Sequence, residues 1–109
     1  MAITVKTLKF YTGELRCVGF DFSEFPEVVE GETLSSPSVS ADPGLTAGSP
    51  EVLTADFVPG DGDPTIASGK GVKVSLTASA AGTYDVTCQV TTSGGSTLKI
   101  RGKAAFEAP

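Results

Sequence analysis

Histidine and tryptophan are absent from the 109 residues of this chain, and methionine appears once. Without histidine there is no side chain that ordinarily titrates between about pH 5 and 8, which removes nucleophile–histidine pairs and every histidine-bearing metal site. Without tryptophan, and with Tyr11 and Tyr84 far apart in the sequence, no grouped aromatic platform for a sugar ring is available. No apolar run approaches the ~20 residues of a membrane-crossing helix, and Met1 to Phe10 alternates polar and apolar residues instead of forming the core of a signal peptide. The chain reads as a cytoplasmic product with no membrane anchor.

Cysteine is nearly as scarce, with Cys17 and Cys88 the only two. A bond between them would close a long loop and stabilise the fold by roughly 4 kcal/mol in a chain-entropy picture. A chain with no export signal is instead expected to keep both as buried, reduced thiols. Each sits in a strand-like apolar context, away from helix starts and clustered cations, so neither thiolate gains the stabilisation that a catalytic cysteine needs. Lysine and arginine are missing altogether between Cys17 and Gly69, a block that holds ten of the thirteen acidic residues. All eight basic residues lie outside it, giving −10 inside and +5 outside (eight basic against Glu14, Asp85 and Glu107). Two outcomes are open: interleaved strands mix these charges over one surface, or the molecule is dipolar and suited to stacking copies. The acidic balance speaks against nucleic acid, whose binding depends on phosphate neutralisation by lysine and arginine.

What is present is punctuation and alternation. Thirteen glycines and seven prolines separate short apolar-periodic segments in a chain of single-domain length, at which folding buries roughly 65% of the unfolded surface. Tyr84, Val86, Cys88 and Val90 alternate with Asp85, Thr87, Gln89 and Thr91; beyond Ser93-Gly94-Gly95, Leu98, Ile100, Gly102, Ala104 and Phe106 alternate with Lys99, Arg101 and Lys103. These are two half-buried strands of a hairpin. A three-residue loop sets Val90 opposite Leu98 and Cys88 opposite Ile100, whereas a two-residue loop sets Val90 opposite Lys99; one-sided burial selects the odd loop, with Gly95 left-handed. Val72, Val74 and Leu76 form a third strand, and Leu15, Cys17 and Val18 to Phe22 a fourth, with Phe20 and Phe22 on one face. Weaker strands are expected over Ile3 to Tyr11, Thr33 to Ala41 and Val52 to Phe57. Phe25 to Glu30 reads as a loop around Pro26.

About seven short antiparallel strands, each with one apolar face in need of a partner sheet, predict an all-β, immunoglobulin-like sandwich, with a small barrel as the alternative. One such domain spans 1–109, with 1–14 as a possible N-terminal extension or extra strand. Tyr84, early in a late strand and just after a glycine, suits a corner hydroxyl donor. No catalytic constellation or cofactor-binding motif emerges. Asp61 and Asp63, two apart in a glycine-rich loop, lack the further ligands of an EF-hand and read as a solvated turn, with calcium as the alternative. Lys99, Arg101 and Lys103 form a basic ridge that meets solvent or an acidic strand of the same domain, or else docks on another chain's acidic loop.

The segments Ile66-Ala67-Ser68-Gly69, Val72-Lys73-Val74-Ser75-Leu76, Ala81-Gly82-Thr83-Tyr84-Asp85-Val86-Thr87-Cys88 and Val90-Thr91-Thr92-Ser93-Gly94-Gly95-Ser96-Thr97-Leu98 carry a family likeness. The pattern resembles the small immunoglobulin-like proteins of tailed bacteriophages, particularly the fibre–tail adaptor type. It is continuous over 66–100, and Phe20-Asp21-Phe22-Ser23-Glu24-Phe25 and Gly31-Glu32-Thr33-Leu34 are similar to the same family's first strands. Phe22 stands where the usual aromatic is Trp, and Met1 to Glu14 lies outside the pattern. The resemblance implies a virion structural protein, made in the host cytoplasm and present in several copies. It would bind tail, neck or capsid proteins or its own copies, with no catalytic residue, cofactor, nucleic acid or membrane partner. Two other classes stay open, a ligand-recognition module for host-surface glycan or protein and a calcium-dependent adhesion domain.

Overall fold

The computed structural model describes residues 8–58 and 65–108. Eight strands run in chain order: β1 (Leu8–Tyr11), β2 (Arg16–Asp21), β3 (Leu34–Ala41), β4 (Leu45–Ala47), β5 (Glu51–Val52), β6 (Gly71–Ala78), β7 (Gly82–Thr92) and β8 (Thr97–Glu107). One sheet has the order β1-β8-β7-β3; the other has β2-β6-β4, with β5 also on β6. β4 and β5 lie along the same partner one after the other, and the step from Ala47↔Leu76 to Glu51↔Lys73 takes one more residue than β6 supplies. They form one strand interrupted by the turn residues Gly48, Ser49 and Pro50.

This is the immunoglobulin-like sandwich, with one change to the expected antiparallel set: β1 pairs with β8 in parallel, Leu8 opposite Ala104 and Tyr11 opposite Glu107. The described part of the expected Ile3 to Tyr11 strand is Leu8–Tyr11, and the rest lies outside the described residues. Of the expected Val52 to Phe57 strand only Val52 lies in a strand, at the end of β5, because the chain then leaves the sheet edge and returns through a bridge between Phe57 and Ile66.

One core joins the sheets. Val18, Phe20, Phe22, Val72, Val74 and Leu76 face Val86, Cys88, Val90, Leu98, Ile100 and Phe106, all buried. The β7–β8 register sets Cys88 opposite Ile100 and Val90 opposite Leu98, closed by the odd loop Ser93-Gly94-Gly95 with Gly95 at φ 94°. Two positions depart from expectation. Cys17 is exposed, since Val18 and Phe20 take the inward places on β2 and adjacent residues of a strand face opposite ways. Phe25 to Glu30 is not an open loop, because Pro26–Val29 makes one helical turn, α1. Proline at its first position has no N–H to lose, and buried Phe25 and Val28 anchor the turn to the core.

A smaller apolar cluster sits outside the sandwich. Residues 53–58 and 65–70 fold over the outer face of β2 and β6, burying Leu53 and Ile66. The close approach requires glycine: a Cβ at Gly19 would lie 2.8 Å from Ile66 and 2.9 Å from Phe57, and one at Gly71 would lie 2.6 Å from the Phe20 carbonyl. At the other end, the Tyr84 hydroxyl donates to the Ala80 carbonyl at 2.7 Å while its ring lies over Gly44 and edge-on to Phe106. That is the corner hydroxyl expected of this tyrosine.

Two substitutions test this account in urea unfolding. Tyr84→Phe, which removes one hydrogen bond and leaves the ring, is expected to cost about 1 kcal/mol. Gly71→Ala, which drives a methyl into backbone, is expected to cost more, about 1–3 kcal/mol. A Gly71→Ala chain as stable as the parent would contradict the packing described.

Candidate interaction surface

Residues that turn away from the core on β3, β7 and β8 make one flat polar face. Ser38 and Ser40 stand opposite Gln89 and Thr87, which in turn stand opposite Lys99 and Arg101. Exposure alternates strictly along β8, so Lys99, Arg101 and Lys103 share this face as the sequence predicts. They do not act alike. Lys103 lies opposite Asp85 and bonds to it at 2.9 Å. That hydrogen bond, with the charge behind it, holds the Asp85 carboxyl below the usual aspartate range, and Arg101 adds a smaller pull. Among the described residues neither Lys99 nor Arg101 forms an ion pair, although Arg101 lies within the field of Asp85.

The registers also divide the loops between two ends. β2 and β8 pass into or out of the loops 22–33 and 93–96 at one end, which the tip 67–70 also joins. Ser93 N–H donates to the Thr33 carbonyl, Gly94 N–H to Glu32 Oε1, and Lys70 Nζ to the Val28 carbonyl. Glu24, Glu27, Glu30 and Glu32 lie in the 22–33 loop at this end, which Lys70 also joins. Glu24 and Glu30 are exposed, and Val29 beside them is 70% exposed. The opposite end carries the turns 12–15, 42–44 and 79–81. There Asp42 and Asp85 are tied by two bonds, Asp42 N–H to the Asp85 carbonyl and Asp85 N–H to Asp42 Oδ2. Arg16 bonds to Glu14 at 3.1 Å and lies over the Phe10 ring. The Glu14 carboxyl is held low, first by the Tyr11 N–H it accepts and then by Arg16.

Charges therefore mix in places, as where Lys73 approaches Glu51 at 3.8 Å, while the acidic residues of 24–32 stay together at one end. The sequence already shows Glu24, Glu27, Glu30 and Glu32 as one acidic run around Val28 and Val29, and of the two settings open for the basic ridge the structure puts Lys103 against an acidic residue of the same domain and Lys99 and Arg101 on the exposed face. No three acidic or thiol side chains converge as a metal site among the described residues, and the Asp61/Asp63 loop lies outside them. No helix among the described residues is long and apolar enough to cross a membrane. Tyr11, exposed at the 12–15 turn, and Tyr84, at the corner, are not grouped with other exposed aromatics among the described residues. Cys17 and Cys88 are both free; burial pushes the Cys88 thiol up to about 12. Neither a comparison with protein-family models nor one with curated proteins finds a match for this chain.

Replacing Lys103 with Met is expected to raise the Asp85 carboxyl toward its ordinary value in an NMR pH titration; an unmoved midpoint would mean that Lys103 is not what lowers it. Since the shift is downward, what the pair adds to stability is present above the ordinary aspartate range and fades as pH falls through the lowered value. The thiols should separate as well. At about pH 8 a thiol reagent is expected to modify Cys17 in the native protein and both cysteines in denaturant, because only a thiolate reacts and Cys88 stays protonated. Equal native rates at the two would contradict the burial of Cys88.

Proposed function

We propose that this chain is a non-enzymatic structural protein of a tailed-phage virion, an adaptor or decoration component that binds tail, neck or capsid proteins or its own copies. The observation that carries the binding role is the β3–β7–β8 face, on which Lys99 and Arg101 are exposed and, among the described residues, form no ion pair. The backbone under both cations is held by the β7–β8 ladder over a close-packed core, which sets where the two charges leave the sheet. Partners of opposite charge are steered to it, and wrong registers are penalised by like charges. The virion setting rests on the resemblance of residues 66–100 to phage immunoglobulin-like proteins.

In this role Lys103 is spent on Asp85, so Arg101 is the residue whose loss should matter most. The chain is expected to co-purify with phage particles through a density gradient, measured by mass spectrometry of the banded particles. Arg101→Glu is expected to lower its occupancy on them severalfold, with stability unchanged within about 0.5 kcal/mol, as for other exposed positions. Particles that never contain the chain would overturn the virion role; full occupancy with Arg101→Glu would remove this face from it.

A further inference from the structure

Lys99 and Arg101, in no ion pair among the described residues, have a counterpart of opposite charge on the same molecule. Helix α1 turns Val28 inward, fully buried, so at about 100° per residue Glu30 points outward with Glu27 and Val29 on its flanks. Glu24 stands exposed just ahead of it. Among the described residues, none of Glu24, Glu27 and Glu30 takes part in an ion pair. Lys70 at this end directs its ammonium to the Val28 carbonyl.

Spacing matches as well as sign. Lys99 and Arg101 are two residues apart on one face of a strand, about 7 Å. Glu27 and Glu30, three apart on a helical turn, are about 5–6 Å apart at Cβ. Within one chain the two sets belong to different parts of the fold, the outer face of β8 and the loop end beyond β2, and the ion pairs among described residues link neither set to the other. Two chains can bring them together, with exposed Val29 meeting the aliphatic stems of the basic residues.

We propose that copies of this chain dock head to side, the acidic α1 end of one (Glu24, Glu27 and Glu30 around Val29) on the Lys99–Arg101 face of the next. The occupant of the basic face is thus a second copy. This rests on the binding role proposed above and names its partner. The contact is heterologous, joining different patches on the two copies, so it builds a ring where the rotation closes and an open stack where it does not. Association is therefore salt-sensitive and can be exchanged between variants of opposite charge.

The test uses two full-length variants, Lys99→Glu with Arg101→Glu, and Glu24→Lys with Glu30→Lys, each checked by thermal melting for a parent-like fold. All four positions are exposed, and a variant that melts early is replaced by its neutral version, Gln at the same sites. Light scattering at about 50 mM salt is expected to show the parent associated and each charge-reversed variant alone as a single chain; about 500 mM salt dissociates the parent. Mixed in equal amounts at low salt, the two variants are expected to recover at least a doubled mass, since each supplies what the other lost. A mixture that stays monomeric, a variant that associates alone as the parent does, or a parent that is monomeric at low salt overturns the copy-on-copy contact. Recovery of the chain from banded particles is read separately, so that contact can fail while the virion role stands, with an acidic surface of another virion protein as the occupant.

Discussion

The register of the β7–β8 hairpin is the constraint on which the rest of the molecule depends. With Val90 opposite Leu98 and Cys88 opposite Ile100, Val86, Cys88, Val90, Leu98, Ile100, Ala104 and Phe106 turn inward and every cation of β8 outward. A slip of one residue in β8 would bring Lys99, Arg101 and Lys103 against the buried faces of Val18, Phe20 and Leu76. The three-residue loop excludes that slip, because it closes only with a left-handed residue at its end and Gly95 takes that conformation without a steric cost. The same turn reaches sideways: Ser93 and Gly94 bond to Thr33 and Glu32, so the loop that fixes the register also anchors the acidic end. Core, basic face and acidic end are one consequence of one pairing.

At the far end, a second set of contacts holds the sheets' turns in place. Tyr84 covers Gly44 and bonds to Ala80, while Asp42 and Asp85 exchange backbone and side-chain bonds, so the 42–44 turn and the β6–β7 connection are fixed to the same strand. Asp85 also holds Lys103. One short stretch of β7 thereby links the corner of the sandwich to the charge pattern of its face. The outer cluster of Leu53, Phe57 and Ile66 is built differently. It depends on two positions where a side chain is missing, Gly19 and Gly71, and so on space made available by the sheet.

Much of this was legible from local order, and the reasons divide by range. Alternation in 84–106 predicted two strands, their pairing and their loop, because period, turn residue and one-sided burial all act within a few residues of one another. Tyr84 was legible for the same reason. Cys17 was misjudged because Leu15, Cys17 and Val18 to Phe22 contain apolar residues of both parities, and only contact with β6 shows that the even residues face in. Phe25 to Glu30 carries a short helix-period pattern, but with Pro26 inside it the stretch reads as a loop; the turn forms because proline is tolerated at the first helical position and Phe25 and Val28 are buried in the core. The parallel pairing of β1 has no local signature at all. Of the candidate face, membership was legible, and the predicted register already sets Asp85 opposite Lys103; what the alternation leaves open is whether the two side chains bond, which the structure shows.

Charge segregation follows from how a sandwich is threaded. The block from Cys17 to Gly69 contributes only β2 to β5, and among its elements only β3 lies in the sheet that carries the basic residues of β8. β3 is serine-rich and has no charged residue, so it brings no carboxylate beside Lys99 or Arg101. Apart from Asp21 at the end of β2 and Glu51 in β5, the acidic residues of the block fall outside the strands described, and the connection between β2 and β3 holds four of them at one end. A chain that put an acidic residue at Ser38 or Ser40 would place it near Gln89 or Thr87 and offset its own cations across the sheet. Serine there leaves them available to another molecule. Polarity of the surface is thus set less by the number of charges than by which strand of neutral side chains lies beside the charged one.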